Sequence, residues 1–310
     1  MVNSLNSHKP SIVFFGNERL ATGVTTQAPV LRALIESGYS IEALIVNHEQ
    51  ATSRKQRTLE VEELANQHKI PVYKPQTKLE LIEITAALTS PIAVLVAYGR
   101  IISESVIKHF AHGIVNVHPS ALPKHRGSTP IESVILDGST STAVSIMQLT
   151  KQMDAGGLYA QNSAVVPRTI SKQELTDQLG AMGATMVVEA LPGIIDGSLT
   201  PQAQNESQAT YTTQIRKQDG ELDFTEPAEQ LERQIRAYAG WPGSRTQVAG
   251  KDVVITNAIV IDRSGTPGTP FVHNGQLAIY CSRQALLITK LKPAGKNEMP
   301  SADFLRGNPL

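Results

Sequence analysis

Cysteine is nearly missing from this chain: Cys281 is the single one in 310 residues. That excludes an internal disulfide and any zinc site built from several thiolates, and it suits a reducing cytoplasm. Long apolar runs are missing as well. The run Ile92–Ala97 is strand-sized, far below the roughly 18–20 apolar residues of a membrane-spanning helix. The opening residues MVNSLNSHKP hold no apolar core, so neither a secretory leader nor a membrane anchor is expected. Charge of one sign is not in excess: 28 Lys and Arg balance 28 Asp and Glu. Splitting the chain uncovers no basic half, because residues 1–204 hold 16 against 17 and residues 205–310 hold 12 against 11. Phosphate-backbone binding leaves a basic footprint, so bulk charge gives no support to a nucleic-acid partner and any such contact must come from local clusters. No phosphate-binding glycine motif occurs. His109 and His112 lie three apart with no third ligand beside them, so no metal is expected; both suit a helix C-terminus.

What the chain does have is an ordinary globular composition, 41% hydrophobic and 18% charged, over a length that suits two domains. Through the first 200 or so residues, short apolar runs alternate with helical patterns, which predicts an α/β domain with a mostly parallel, doubly wound sheet. Strands are expected at Ile12–Phe15, Ile41–Val46, near Val72, and at Ile92–Ala97, Gly113–His118, Thr142–Gln148 and Leu158–Val166. Thr26 is the expected cap of a helix through Ile35, and Ser171 to Glu174 form a capping box opening a long helix toward Leu191. From Gly193 to Thr212 the residues turn to Gly, Ser, Thr, Gln and Asn, which reads as a linker. Beyond it, one helix with Leu231, Ile235 and Tyr238 at helical spacing and several short strands predict a small barrel. The expected division is 1–192, a linker at 193–205, and 206–310.

The segment Asn116-Val-His118-Pro-Ser-Ala-Leu-Pro123 carries the clearest chemistry. Residues two apart on a strand share a face, so Asn116 and His118 project together. Pro119 and Pro123 end strand pairing, which puts the pair at the carboxyl end of a strand, where open α/β sheets bind ligands. An amide beside an imidazole suits an oxyanion forming on a carbonyl carbon. The same residues also read as a turn-capping Asn and a polar-rim His. Arg126-Gly127 and Pro130-Ile131 then lead into a helix, and Met153-Asp154-Ala-Gly-Gly157 places a carboxylate in a loop of small residues. A carboxylate close to an imidazole fixes its orientation, though Asp154 alone would more often be a turn residue.

Together, Asn116-x-His118-Pro-Ser120-x-Leu122-Pro123, Arg126-Gly127, Pro130-Ile131 and Asp154-x-Gly156 resemble the motif of folate-dependent formyltransferases. The resemblance extends through Val96–Gly99, Gly138 and Ile146–Gln148. Past the linker, Tyr211, Gly220–Phe224, Gln230–Ala237, Trp241-Pro242 and Lys292–Lys296 are similar to the branch that acts on initiator methionyl-tRNA. It covers about Ser11 to Leu305. The resemblance implies a Rossmann-like catalytic domain followed by an OB-like β-barrel, and 10-formyltetrahydrofolate as co-substrate. It implies Asn116, His118 and Asp154 as the catalytic residues, Ser120, Ala121, Leu122 and Pro123 as the folate-contacting stretch, and a cytoplasmic monomer that binds charged initiator tRNA. The family's acceptor-end loop falls on residues 47–58, where it is shorter than in bacterial relatives and has Arg54, Lys55 and Arg57 as its cations. These read equally as tRNA contacts or as a solvated loop. Two further departures are the stretch Gly16–Gly23 in place of a short Gly-Thr-Pro turn, and Gln152 where glycine is common. Formyl transfer to a nucleotide-linked amino sugar, hydrolysis releasing formate, and a tRNA-binding module without catalysis are the competing readings.

Overall fold

The computed structural model describes residues 9–47 and 58–310; Arg54, Lys55 and Arg57 lie outside the described residues. Strand β1 (Ile12–Gly16) is buried along its length. Its side chains alternate between two cores, Ile12 and Phe14 toward one face of the sheet and Val13 and Phe15 toward the other. Burial on both faces explains why the segment shows no polar alternation.

β2 (Ile41–Ile45), β3 (Val72–Tyr73), β4 (Ile92–Val96) and β5 (Ile114–His118) run parallel with β1. β6 (Ser141–Gln148) and β7 (Leu158–Val165) complete the sheet in antiparallel fashion. The order is β3-β2-β1-β4-β5-β6-β7, so the chain winds outward from β1 and returns to its other side at β4. That reversal opens a crevice beyond the carboxyl ends of the strands. Helices α1 (Pro29–Glu36), α2 (Glu60–Gln67), α5 (Pro130–Leu136) and α6 (Lys172–Asp196) cover one face, and α3 (Lys78–Ala86) and α4 (Glu104–His109) cover the other.

Two helix ends differ from expectation. Thr26 does not cap α1; Ala28 takes the cap position in a left-handed conformation (φ 52°), and Thr26 Oγ1 instead accepts from Ala28 N–H at 3.1 Å. The first turn is satisfied from outside the helix, because the Glu18 carboxylate accepts from Val30 N–H at 2.8 Å and Leu31 N–H at 2.7 Å. Burial pushes the Glu18 carboxyl up to about 7 despite those bonds. At the other end, α6 does not stop near Leu191 but continues through Pro192 and Gly193 to Asp196, ending at Gly197 in the left-handed region. Buried Leu191 and Ile194 hold these last turns on the core, which offsets the hydrogen bond that Pro192 forgoes. Residues 193–196 of the expected linker are therefore helical. By length and apolar composition α6 could cross a membrane, but here Leu175, Leu179, Val187 and Leu191 are fully buried in the protein.

The C-terminal region starts with α7 (Ala228–Ala237) and continues with β8 (Ser244–Val248), β9 (Lys251–Ile261), β10 (Pro270–His273), β11 (Gln276–Tyr280), β12 (Ala285–Pro293), β13 (Met299–Pro300) and α8 (Ser301–Gly307). The strands form an antiparallel sheet of order β10-β11-β12-β9-β8, with β13 added on β12. The path is open, as in the OB-like barrel expected, and α8 is a second helix that periodicity did not suggest. Leu231, Ile235, Ile255, Leu277, Ile288 and Phe304 make a separate core. The two regions meet where α7 lies against α5, with Arg233 Nε donating to the Leu136 carbonyl at 2.9 Å.

Candidate active site

At the end of β5 the alternation of a strand sends Val115 and Val117 into the core shared with α6 and leaves Asn116 and His118 on the opposite face. Both are 5% exposed. His118 Nε2 lies 3.1 Å from the His125 carbonyl. A carbonyl only accepts, so this nitrogen carries the hydrogen. The other ring nitrogen, Nδ1, faces Asp154 Oδ2 at 3.8 Å, longer than a hydrogen bond but within ion-pair range when the ring is protonated. The ring is thus held between a backbone carbonyl and a carboxylate.

Asp154 itself occupies the left-handed region, with φ 47°, which is uncommon for a residue with a side chain. Gly127 N–H donates to its Oδ2 at 2.7 Å. Gly156 nearby has to be glycine, because a Cβ there would stand 1.8 Å from the Gln148 carbonyl oxygen. His109, set aside above as a ligand, bonds the Leu88 carbonyl through Nε2 at 3.0 Å, and no cluster suited to a metal occurs among the described residues.

Directly after His118 the chain folds back on itself. Ser120 Oγ donates to the Lys124 carbonyl at 2.7 Å, and Lys124 N–H donates to the Ala121 carbonyl at 3.0 Å. Ser145 Oγ on β6 and Gln161 Nε2 on β7 pin the Ser120 and Leu122 carbonyls at 2.7 Å and 2.9 Å. Ser120 and Leu122 are buried, while Ala121 and Pro123 remain partly exposed. The structure therefore brings His118 and Asp154 together, sets Asn116 on the same strand face, and places residues 120–123 immediately beside them.

A group not anticipated from sequence lies behind this centre. Arg126 is completely buried. Its guanidinium bonds Gln204 Oε1 at 2.8 Å and 3.2 Å, the Glu206 carboxylate at 2.6 Å and 2.9 Å, and the Tyr211 hydroxyl at 3.0 Å. Gln204 and Glu206 sit in a polar tract whose composition signals only a linker. Arg126 and Tyr211 belong to the quoted motifs, but nothing in those motifs points to Gln204 or Glu206.

Residues 17–191 match the family described as formyl transferase, and residues 214–309 match its C-terminal domain. The methionyl-tRNA formyltransferase of Magnetococcus marinus is 35% identical over 302 residues, spanning 96% of this chain and 95% of its own. This chain belongs to the methionyl-tRNA formyltransferase family. The fold reaches further than that family's sequences. WlaRD, a sugar 3N-formyl transferase, superposes with a TM-score of 0.67 at 16% identity, over 94% of this chain and 100% of its own. HypX from Aquifex aeolicus, solved with tetrahydrofolic acid, gives 0.68 at 18% identity over 96% of this chain, which spans 47% of HypX. At such identities these two structures share the formyltransferase fold with this family member.

Proposed function

We propose that this protein transfers the formyl group of 10-formyltetrahydrofolate to the amino group of initiator methionyl-tRNA, in the cytoplasm. The observation that carries the reading is the His118–Asp154 pair facing one another at 3.8 Å beside Asn116, at the carboxyl end of β5. Kinship over nearly the whole chain with the methionyl-tRNA formyltransferase of Magnetococcus marinus supports the same acceptor.

In the reaction, the methionyl amine forms a bond to the formyl carbon, the bond from that carbon to the folate nitrogen breaks, and a proton passes from the amine to that nitrogen. Charge gathers on the formyl oxygen when the carbon becomes tetrahedral. The Asn116 carboxamide and the His118 imidazole are the donors that stabilise it, His118 by turning its Nε2 hydrogen from the His125 carbonyl to that oxygen, and donors of this kind are each worth about 2.7–4 kcal/mol. Asp154 orients the ring from the Nδ1 side, and the His118–Asp154 pair serves the proton transfer. Ala121 and Pro123, partly exposed on a turn pinned at both ends, suit the folate-contacting stretch. In this division of labour residues 1–192 hold the chemistry and residues 206–310 dock the acceptor.

A formylation assay that offers charged initiator tRNA together with a nucleotide-linked amino sugar tests the reading. Formyl-methionyl-tRNA is the expected product. Formylation of the sugar alone would move the protein to the other acceptor class, and release of free formate alone would make it a hydrolase.

A further inference from the structure

We propose that Gln204, itself held by Arg126, is a positioning residue for Asp154, so that the segment joining the two domains completes the active centre. The inference rests on the role proposed above for Asp154.

Asp154 has a conformational problem that its own loop does not solve. Its left-handed backbone is disfavoured for a residue with a Cβ, and Gln152 and Met153 before it are exposed. Gln204 supplies the missing restraint. Its Nε2 donates to the Asp154 carbonyl at 2.8 Å and to the Gly156 carbonyl at 2.7 Å, so one carboxamide fixes the backbone on both sides of Ala155. The orientation of that carboxamide is set in turn. Its oxygen accepts from two nitrogens of Arg126, and a flipped amide would set N–H against N–H.

Arg126 also reaches the reacting pair through its chain neighbours. The His125 carbonyl takes the His118 Nε2 hydrogen, and Gly127 N–H bonds Asp154 Oδ2. The contacts close a ring that runs from His118 through 125–127 to Asp154, and from the Asp154 backbone through Gln204 back to Arg126. Backbone bonds tie the joining segment to the same tripeptide, from Arg126 N–H to the Thr210 carbonyl at 2.9 Å and from Thr212 N–H to the Arg126 carbonyl at 2.7 Å. Displacing a catalytic group by about an ångström is enough to lose on the order of 10²-fold in rate, which is the scale on which this restraint acts.

The test uses full-length protein and four forms: wild type, Gln204→Leu, Asp154→Asn and the double variant. Gln204→Leu is expected to lower kcat by about 10- to 100-fold, with KM for 10-formyltetrahydrofolate changed by less than about threefold. Because Gln204 acts through Asp154, adding Gln204→Leu to Asp154→Asn should change kcat by less than about threefold. Multiplying losses in the double variant would overturn the proposal, as would a rise in KM with unchanged kcat. Gln204→Glu serves as a control that keeps the oxygen facing Arg126 and removes both N–H donors; it should resemble Gln204→Leu, and wild-type kcat in it would also overturn the proposal. Amide exchange at Gly127 separates this inference from the reading of Asp154. Exchange should quicken by about tenfold or more in Gln204→Leu, since the carboxylate that covers this N–H is released. Unchanged exchange refutes the positioning whatever the activity. Faster exchange together with an active Asp154→Asn enzyme supports the positioning and refutes the catalytic role of Asp154.

Discussion

The oxygen of Asp154 that faces His118 is the same one that accepts the Gly127 N–H: Oδ2 lies 2.7 Å from that nitrogen and 3.8 Å from His118 Nδ1. A single carboxylate oxygen thus anchors the loop and confronts the ring. An amide at this position has to choose, because its NH2 group placed there would meet another donor, and its oxygen placed there carries no full charge. Asp154→Asn is therefore expected to lower the single-turnover formylation rate by about 10²–10⁴-fold, the range for a general acid–base group. Titration with a folate analogue should stay within a few-fold of wild type. Turnover close to wild type would refute the assignment.

Asn116→Ala removes one donor from the strand end while leaving β5 paired on both sides. A fall of about 10²–10³-fold in kcat is expected for one oxyanion donor. A loss confined to KM would mean that the side chain contributes to binding alone.

Gly127→Ala is expected to destabilise the protein by about 1–3 kcal/mol, measured by urea unfolding, and to depress activity more than stability explains. At φ +111° a side chain is strained, and its Cβ would lie 2.6 Å from Thr212 Oγ1. Wild-type stability and activity in this variant would show that the joining segment does not press on residue 127 in solution.

Glu18 makes the fold sensitive to pH. Its carboxyl is raised from 4.5 to about 7 in the folded state. The folded protein therefore keeps this proton between about pH 4.5 and 7 while the unfolded chain has released it, and stability attributable to Glu18 falls as pH rises through that window. Glu18→Gln, which stays neutral but sets its NH2 against one of the two N–H groups the carboxyl accepts, should start below wild type near pH 4.5 and gain on it progressively toward pH 7, by about 3 kcal/mol at most. Thermal melts of both proteins across that range measure it. A constant difference at every pH would refute the raised value.

Arg54, Lys55 and Arg57, which lie outside the described residues, are tested by salt. If they contact tRNA phosphates, neutralising all three should reduce the slope of log affinity against log salt by about 0.7–0.9 per lost contact. Folate affinity should not change. An unchanged slope would make them a solvated loop and direct attention to Lys290, Lys292 and Lys296.

The readability of this chain follows how local each feature is. β1 and β4 are legible because continuous apolar runs bounded by Gly or Pro are what double-sided burial demands, and β5 because Gly113 and Pro119 bound a short run in which only Asn116 and His118 are polar. The pairing of Asn116 with His118 followed from strand periodicity alone. The α1 start is not legible locally, because its satisfying carboxylate, Glu18, arrives from a preceding loop rather than from the cap position. Nor is the α6 end, because Pro192 and Gly193 are breakers by propensity, while the burial of Leu191 and Ile194 that overrides them is tertiary. Gln204 could not be found at all. Its partners at Arg126 and Asp154 are 78 and 50 residues away in sequence, and a glutamine in a polar tract carries no local mark of such contacts.

The backbone pairing of Arg126 with residues 210–212, extended by Thr129 Oγ1 donating to the Thr213 carbonyl at 2.9 Å, bears on how chimeras between relatives could work. A crossover at residue 192 would take Arg126 from one parent and Gln204, Glu206 and Tyr211 from the other, so that a fully buried cation would have to find its partners in a foreign sequence. A crossover after residue 213 keeps the cation and its acceptors in a single inheritance and leaves to be matched anew the contacts of α7 and the segment after it, Arg233 with Leu136, Arg236 with Ile170 and Trp241 with Lys172 among them.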